Sequence, residues 1–321
     1  MLLLREADVR AVLTMPDAVR CVEEAFGRQG MGEMRGQPRT RVRFPAGTLN
    51  VLPAVDLTLG VAGVKTYIAV GGVARFVVLL FDLDGGALLA MIEADYLGMI
   101  RTGAASGVAT RHLAAPGPHT LAIIGTGWQG RGQVEGVLSA CAVSEIRVFS
   151  RRPEQRAAFA RQVEDEFAVA CLACASARDA VAGATVICTA TNATVPVLEA
   201  ADVADGAHIN AAGSNSLLRR EIDDGLVHRA GTIVVDSRVQ ARAEAGDLLA
   251  AHQRGWLDVD SLPELGDIVA GRRQGRRNGA EITIFESLGL GAQDVVVAAH
   301  AYRQARVAGL GNEIPFVGTA Q

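Results

Sequence analysis

The chain has 321 residues, 50% of them apolar and 21% charged, with a formal net charge of −4. That length exceeds what one hydrophobic core usually organises, and the balance excludes disordered and fibrous classes. The arginines are scattered, leaving no electrostatic footprint for nucleic acid, and five cysteines at low density argue for reduced thiols rather than a disulfide framework.

The opening MLLLREADVR has too short an apolar stretch for a signal peptide or a membrane span, so a cytoplasmic location is expected. Thr14 and Pro16 then precede a pattern that puts Val19, Val22 and Phe26 on one face, which predicts an N-capped amphipathic helix. From Arg39 to Glu93 the pattern changes to short alternating or apolar runs: TRVRF, LNVLPAV, GVAGVKTYIAV and RFVVLLFDLDGGALLAMIEA. The turns Pro45-Ala46-Gly47 and Asp84-Gly85-Gly86 break these into antiparallel hairpins. A helix rich in small residues, YLGMIRTGAASGVATRHLA, stops at Pro116-Gly117-Pro118, and this cluster is taken as the boundary between domains 1–116 and 117–292.

Beyond it the rhythm is strand then helix, with TLAIIG, EIRVFS, the VACLA run, ATVICTAT, AHINAAG and TIVVDS as strands. Such alternation predicts an α/β fold, a doubly wound parallel sheet of the Rossmann type following an N-terminal α+β antiparallel domain. A last strand, EITIFESLG, precedes a helix containing DVVVAAHAYRQA. Cys171 and Cys174 form a CxxC that reads as buried strand, and the basic run Arg272, Arg273, Arg276, Arg277 reads as a solvated loop. None of His112, His119, His208, His228, His252 and His300 forms a metal-spaced pair, and there is no GxSxG, so neither a metal nor a serine nucleophile is expected.

The strongest local motif is Gly125-Thr126-Gly127-Trp128-Gln129-Gly130, directly after the strand LAII and directly before a helical pattern. At a strand-to-helix turn this GxGxxG points to a dinucleotide. Gly125 allows the tight turn, Gly127 lets backbone approach a pyrophosphate, Gly130 permits close helix packing, and the helix N-terminus attracts the phosphates. An NAD enzyme usually carries an acid about 20 residues on, to hold the ribose 2′-hydroxyl. Here EIRVF ends in Ser150-Arg151-Arg152, which suits a 2′-phosphate, so NADP(H) is the expected cofactor with NAD(H) possible. Thr189, Ala190 and Thr191, and Gly213 with Ser214, end predicted parallel strands, where doubly wound sheets put their ligands.

PRT at 38–40, GVKTY at 63–67, IRTGAASGVATRHLA at 100–114, IIGTGWQG at 123–130 and AHINAAGSNSLLRREID at 207–223 together resemble the ornithine cyclodeaminase/mu-crystallin family. VDSRVQARAEAGDLL at 235–249 and TIFESLGLGAQD at 283–294 extend the resemblance over nearly the whole chain. It implies a homodimer whose N-terminal domain binds substrate and carries the dimer contact, completed by a C-terminal helix over 293–321. It also implies that Arg39, Lys65 and Arg101 hold a substrate carboxylate, with Thr102 beside them on the cofactor. Two positions depart from the cyclodeaminase pattern, Asn215 and Asn50 standing where an Asp and a Glu are expected. An amide is no general base, so hydride transfer at a C=N or C–N bond is the better reading.

Read without the family, Lys65 inside an apolar strand and Arg101 inside a small-residue helix still need an anion, since buried unpaired cations are costly. Crowded cations predict a lowered Lys65 pKa, and a lysine so tuned exchanges a proton with the substrate nitrogen. Its plainer alternative is a structural ion pair with Asp95 or another carboxylate. The expected reaction is NADP(H)-dependent interconversion of a small α-imino and α-amino acid, with Asn50 in the substrate pocket and Asn215 and Ser214 orienting substrate or a water. The alternatives are a cofactor-dependent lyase, cyclodeaminase or dehydratase, and a non-catalytic NADP-dependent ligand-binding protein. No nucleic-acid or membrane partner is expected.

Overall fold

A computed structural model describes residues 1–315, and the chain divides there into two units, Met1–Arg101 with the segment from Leu290 onward, and Thr102–Gly289. The first unit begins with β1 (Leu2–Leu4), α1 (Glu6–Val12) and α2 (Met15–Gly30). Thr14 caps α2 as expected, its hydroxyl accepting from the Asp17 N–H at 3.4 Å, and the Val19, Val22 and Phe26 face is buried.

Next come β2 (Met34–Gly36), β3 (Thr40–Phe44), β4 (Gly47–Asp56), β5 (Val61–Val70), β6 (Val73–Asp82) and β7 (Leu88–Glu93). Strands β3 to β7 pair as antiparallel hairpins, while β1 adds to β7 in parallel, a pairing that three leucines alone do not announce. In β4 the residues Asn50, Leu52, Ala54 and Asp56 are buried, the period-two pattern of a strand covered on one face. The register puts Leu52 opposite Lys65, so Lys65 points to that same covered face.

The covering element is a helix from the far end of the chain. After α3 (Asp95–Leu113) the second unit supplies β8 (His119–Ile124), α4 (Trp128–Ala140), β9 (Val143–Phe149), α5 (Pro153–Phe167), β10 (Cys171–Ala173) and α6 (Ala177–Val181). It continues with β11 (Val186–Thr189), β12 (His208–Ala211), α7 (Asp224–Arg229), β13 (Thr232–Val235), α8 (Arg238–Glu244), α9 (Gly246–Gln253), α10 (Leu265–Val269) and β14 (Thr283–Glu286). Helix α11 (Gly291–Ala308) and β15 (Asn312–Glu313) then return to the first unit. A Cβ on Gly291 would lie 2.6 Å from the Leu52 carbonyl oxygen, and one on Gly63 would lie 2.8 Å from Val295, so glycines let α11 approach the sheet. The helix assigned to 293–321 is thus observed to Ala308; residues 316–321 lie outside the described residues.

The second unit is a wholly parallel sheet in the order β10-β9-β8-β11-β12-β14-β13. Its central strands β11, β12 and β14 are buried at every position, as a sheet covered on both faces requires. The direction of winding reverses between β8 and β11, the place where such folds bind ligands.

Two expectations need correction. The unit change falls at Arg101/Thr102, inside α3, rather than at Pro116-Gly117-Pro118, which only ends the helix. The reason is the small-residue face of α3. A Cβ on Gly103 would fall inside contact with the Gly132 carbonyl, and one on Gly107 would collide with that of Gly136, so the second half of α3 packs backbone to backbone on α4. The basic run is also not uniformly solvated. Arg276 is half-buried and donates to the Leu113 carbonyl at 2.7 Å and to Thr283 at 3.1 Å, pinning its loop to the sheet.

Candidate active site

In the first unit three sequence-distant cations gather. Lys65 on β5 and Arg101 on α3 are both buried, as is Arg39 just before β3, while its neighbours Arg41 and Arg43 are more exposed. Burial therefore separates Arg39 from the alternating run it belongs to. Lys65 Nζ donates to Asp294 Oδ1 at 3.0 Å, and Arg101 Nε donates to the same oxygen at 2.9 Å. Arg101 Nη1 donates to Gln293 Oε1 at 3.0 Å.

Asp294 and Gln293 lie in the first turns of α11, where the helix dipole favours the carboxylate. Of the two pairings left open by the sequence, Asp95 or another carboxylate, the second is observed: Asp294 is the partner of Lys65, and Asp95 is engaged through its backbone N–H with Glu6. Burial, then the charges of Arg101 and Arg39, hold the Lys65 ammonium down at about 8, although Asp294 pulls the other way. Asp294 Oδ2 is buried without a hydrogen-bond partner among the described residues. Two buried cations thus share one carboxylate oxygen, an arrangement with positive charge to spare. Asn50 is buried on β4 next to Lys65's row, opposite Tyr67, and its amide donates to the Thr48 carbonyl at 3.3 Å.

In the second unit the glycine motif forms the turn from β8 into α4. Gly125 has φ +111°, a conformation that favours glycine, and a Cβ there would lie 2.8 Å from the Ala190 carbonyl carbon. Gly130 sits so close under Gly125 that a Cβ would clash with its carbonyl. At Gly127 a Cβ would meet nothing within 4 Å, and this N-cap offers no side-chain hydrogen bond to the helix. Gly127 therefore leaves room beside the N-terminus of α4, the end of a helix that suits a pyrophosphate.

Trp128 is partly exposed, and Gln129 Oε1 is buried there without a partner among the described residues. Thr126 donates to the Ser150 hydroxyl at 2.7 Å, joining the turn to the end of β9, where Arg151 and Arg152 stand exposed. These residues fit a dinucleotide. Thr102 is buried one residue past Arg101.

The loops after β11 and β12 meet through a residue that motif reading passed over. Glu221 is fully buried; its Oε1 accepts from the Thr191 N–H at 2.6 Å, and its Oε2 from the Gly213 N–H at 2.7 Å and the Thr189 hydroxyl at 2.8 Å. Ser214 is buried and donates to the Arg219 carbonyl at 3.1 Å, while Asn215 is half-buried beside it. Cys171 and Cys174 are free thiols, and burial pushes Cys171 up to about 12, but only Cys171 is buried strand as expected: β10 ends at Ala173, Leu172 and Ala173 are exposed, and Cys174 is half-buried just past it. No group of acidic, histidine or cysteine side chains among the described residues has a metal-binding arrangement.

Fold and site thus define a nicotinamide-dinucleotide type of α/β protein whose other unit carries a buried cationic cluster. The chain belongs to the ornithine cyclodeaminase/mu-crystallin family, whose profile matches residues 1–308. It is 38% identical over 241 residues to the Δ1-pyrroline-2-carboxylate reductase of Bacillus cereus (strain ZK / E33L), covering 75% of this chain and 74% of that protein. Among solved structures it is similar to Thermococcus litoralis Δ1-pyrroline-2-carboxylate reductase in complex with NADH and L-proline, with a TM-score of 0.93, 31% identity, and 98% and 100% of the two chains covered. An archaeal alanine dehydrogenase dimer with bound NAD matches at a TM-score of 0.93 and 30% identity over 98% and 99% of the chains. The chain is an oxidoreductase acting on C=N and CH–NH bonds of small imino and amino acids.

Proposed function

We propose that the chain reduces a small α-imino acid to the α-amino acid, using NADPH in preference to NADH. The candidates are cyclic pyrroline- or piperideine-2-carboxylates and the acyclic imines of α-keto acids. One observation carries the reading: Lys65 and Arg101, both buried, converge on a single oxygen of Asp294. A second anion, the substrate carboxylate, completes their neutralisation, and Arg39 adds a third positive charge felt by Lys65.

When bound, the dinucleotide supplies the hydride; the fold's own residues supply binding and position. The guanidinium of Arg101, fixed by Gln293 and Asp294, orients the carboxylate as a rigid fork. Lys65, with a pKa of about 8, holds its proton at neutral pH and delivers it from Nζ to the substrate nitrogen in the reductive direction. In the oxidative direction the free amine takes that proton back. Asn215 replaces the family's acid with a neutral group that orients substrate or water, and Asn50 lines the pocket.

The exposed Arg151 and Arg152, with Ser150, support recognition of a 2′-phosphate. A homodimer is supported by the archaeal relative and by an uncovered apolar sheet end: Val42, Leu49 and Ile68 form one cross-strand row and Phe44, Val70 and Val73 the next, all exposed. No described helix is long and apolar enough to cross a membrane. Five free thiols support a reducing, cytoplasmic setting.

The test is a screen of imino acids, and of keto acids with ammonia or amines, followed at the nicotinamide absorbance with NADPH and NADH in parallel. Oxidation of NADPH is expected. Ammonia release from ornithine without net cofactor oxidation would overturn the proposal in favour of a lyase.

A further inference from the structure

Three backbone segments of the second unit converge where the winding of the sheet reverses: the glycine turn after β8, the loop after β11 and the loop after β12. The first two touch directly, since Gly125 lies against Ala190. The third is brought in by close approach of Gly213 to Thr191; a Cβ on Gly213 would collide with the Thr191 backbone and lie 2.5 Å from Glu221 Oε1. At that meeting point one carboxylate takes both loop N–H groups and a strand-end hydroxyl.

We infer that Glu221 is the positioning residue of the dinucleotide site, its carboxylate clasping the loops after β11 and β12 into one ledge for the cofactor. The inference rests on the dinucleotide reading above. A neutral amide cannot reproduce the clasp. With one acceptor oxygen and one NH2, a glutamine opposes its own donors to the N–H of either Thr191 or Gly213, so one loop is released. Glu221 is itself held from behind, where Asp247 Oδ1 on α9 accepts the backbone N–H groups of Glu221 at 2.6 Å and Ile222 at 2.9 Å. The clasp is therefore built in two tiers, Asp247 fixing the chain and Glu221 fixing the loops.

The surroundings make the clasp sensitive to protonation. Burial raises Glu221 to about 7, the Asp247 charge adds to this, and the bonds from Thr191 and Thr189 oppose it. The other titratable groups facing it are Glu286 on β14, which burial holds well above its ordinary range, and Cys188 on β11, pushed up to about 12; Asp236 acts on Glu286, and Arg220 on Asp247. The ionised carboxylate accepts more strongly than the acid, so the ledge tightens as pH rises through neutrality.

The experiment is a fluorescence titration of the full chain with NADPH and with NADH, from pH 6 to 8. For wild type, Kd should fall as pH rises. For Glu221→Gln, Kd should be raised about tenfold or more at pH 8 and be flat across the range, with kcat at saturating dinucleotide little changed. Gly213→Ala, which displaces the loops without removing the carboxylate, should weaken binding similarly and serves if the glutamine variant does not fold. An unchanged Kd in either folded variant would overturn the inference and leave Glu221 a structural residue only, as would a pH trend kept by Glu221→Gln. Were wild type to bind neither nucleotide, the dinucleotide reading itself would fall, and the clasp with it.

Discussion

Replacing Asp294 by asparagine removes the one charge that Lys65 and Arg101 share while keeping its shape. An opposite charge at hydrogen-bond distance typically moves a pKa by about 1–3 units, so Lys65, at about 8 in the native protein, should fall to roughly 5–7 in the variant. At pH 7.5 the ammonium fraction then drops from about three quarters to between roughly one quarter and well under one hundredth. In the proposed mechanism that ammonium is the proton donor, so kcat/KM for imine reduction at pH 7.5 should fall by roughly threefold to more than a hundredfold. The loss should shrink as pH is lowered. The assay is the rate of NADPH oxidation with a cyclic imino acid from pH 5 to 10. In the native protein the rate should fall above about pH 8; in Asp294→Asn the same basic limb should move to lower pH. A variant whose limb stays near pH 8 would refute the assignment of Lys65 as the proton donor tuned by Asp294.

Lys65 carries a stability consequence of the opposite sign. Its ordinary value of 10.5 is lowered to about 8 on folding, so between those values the unfolded chain binds the extra proton and stability rises with pH. Below that window the charged lysine costs on the order of 3 kcal/mol. Lys65→Met leaves Asp294 paired with Arg101, and should raise Tm at pH 7 while abolishing reduction; a lower Tm at pH 7 would contradict the linkage. Replacing Arg151 and Arg152 together by alanine should raise KM for NADPH by roughly 10–100-fold with little change for NADH, because charge-assisted bonds of about 1.5–3 kcal/mol are lost only with the phosphorylated cofactor. Equal loss for both cofactors would show that the arginines do not read the 2′-phosphate. Gly103→Ala, whose new methyl lands on the Gly132 carbonyl, should destabilise the chain by at least about 1–3 kcal/mol, measurable in thermal melts; an unchanged Tm would mean that α3 and α4 are not packed backbone to backbone.

Much of the second unit was legible because each of its signals is local. A buried apolar run such as VICT, a strand-to-helix GxGxxG and alternating strands and helices all express backbone geometry within a few residues. The cations of the first unit were legible for a different reason, since a charge inside an apolar strand or a small-residue helix is a conflict visible in the sequence itself. What resolves the conflict was not. Asp294 lies in the first turn of a helix, 229 residues after Lys65 and 193 after Arg101, and no spacing rule connects them. Glu221 likewise looked like one charge in RREID, and only its three converging donors show its position.

The sequence by itself determined the class of fold, the glycine turn and two of the buried cations, Lys65 and Arg101, because helix period, strand period and glycine requirements are properties of short stretches of backbone. Tertiary structure alone decided that α3 changes units about a third of the way along its length, that one carboxylate of α11 stands between Lys65 and Arg101, and that Glu221 joins two loops. Those outcomes depend on which distant surfaces come within a few ångströms of each other, and electrostatics at that range is set by packing rather than by position along the chain.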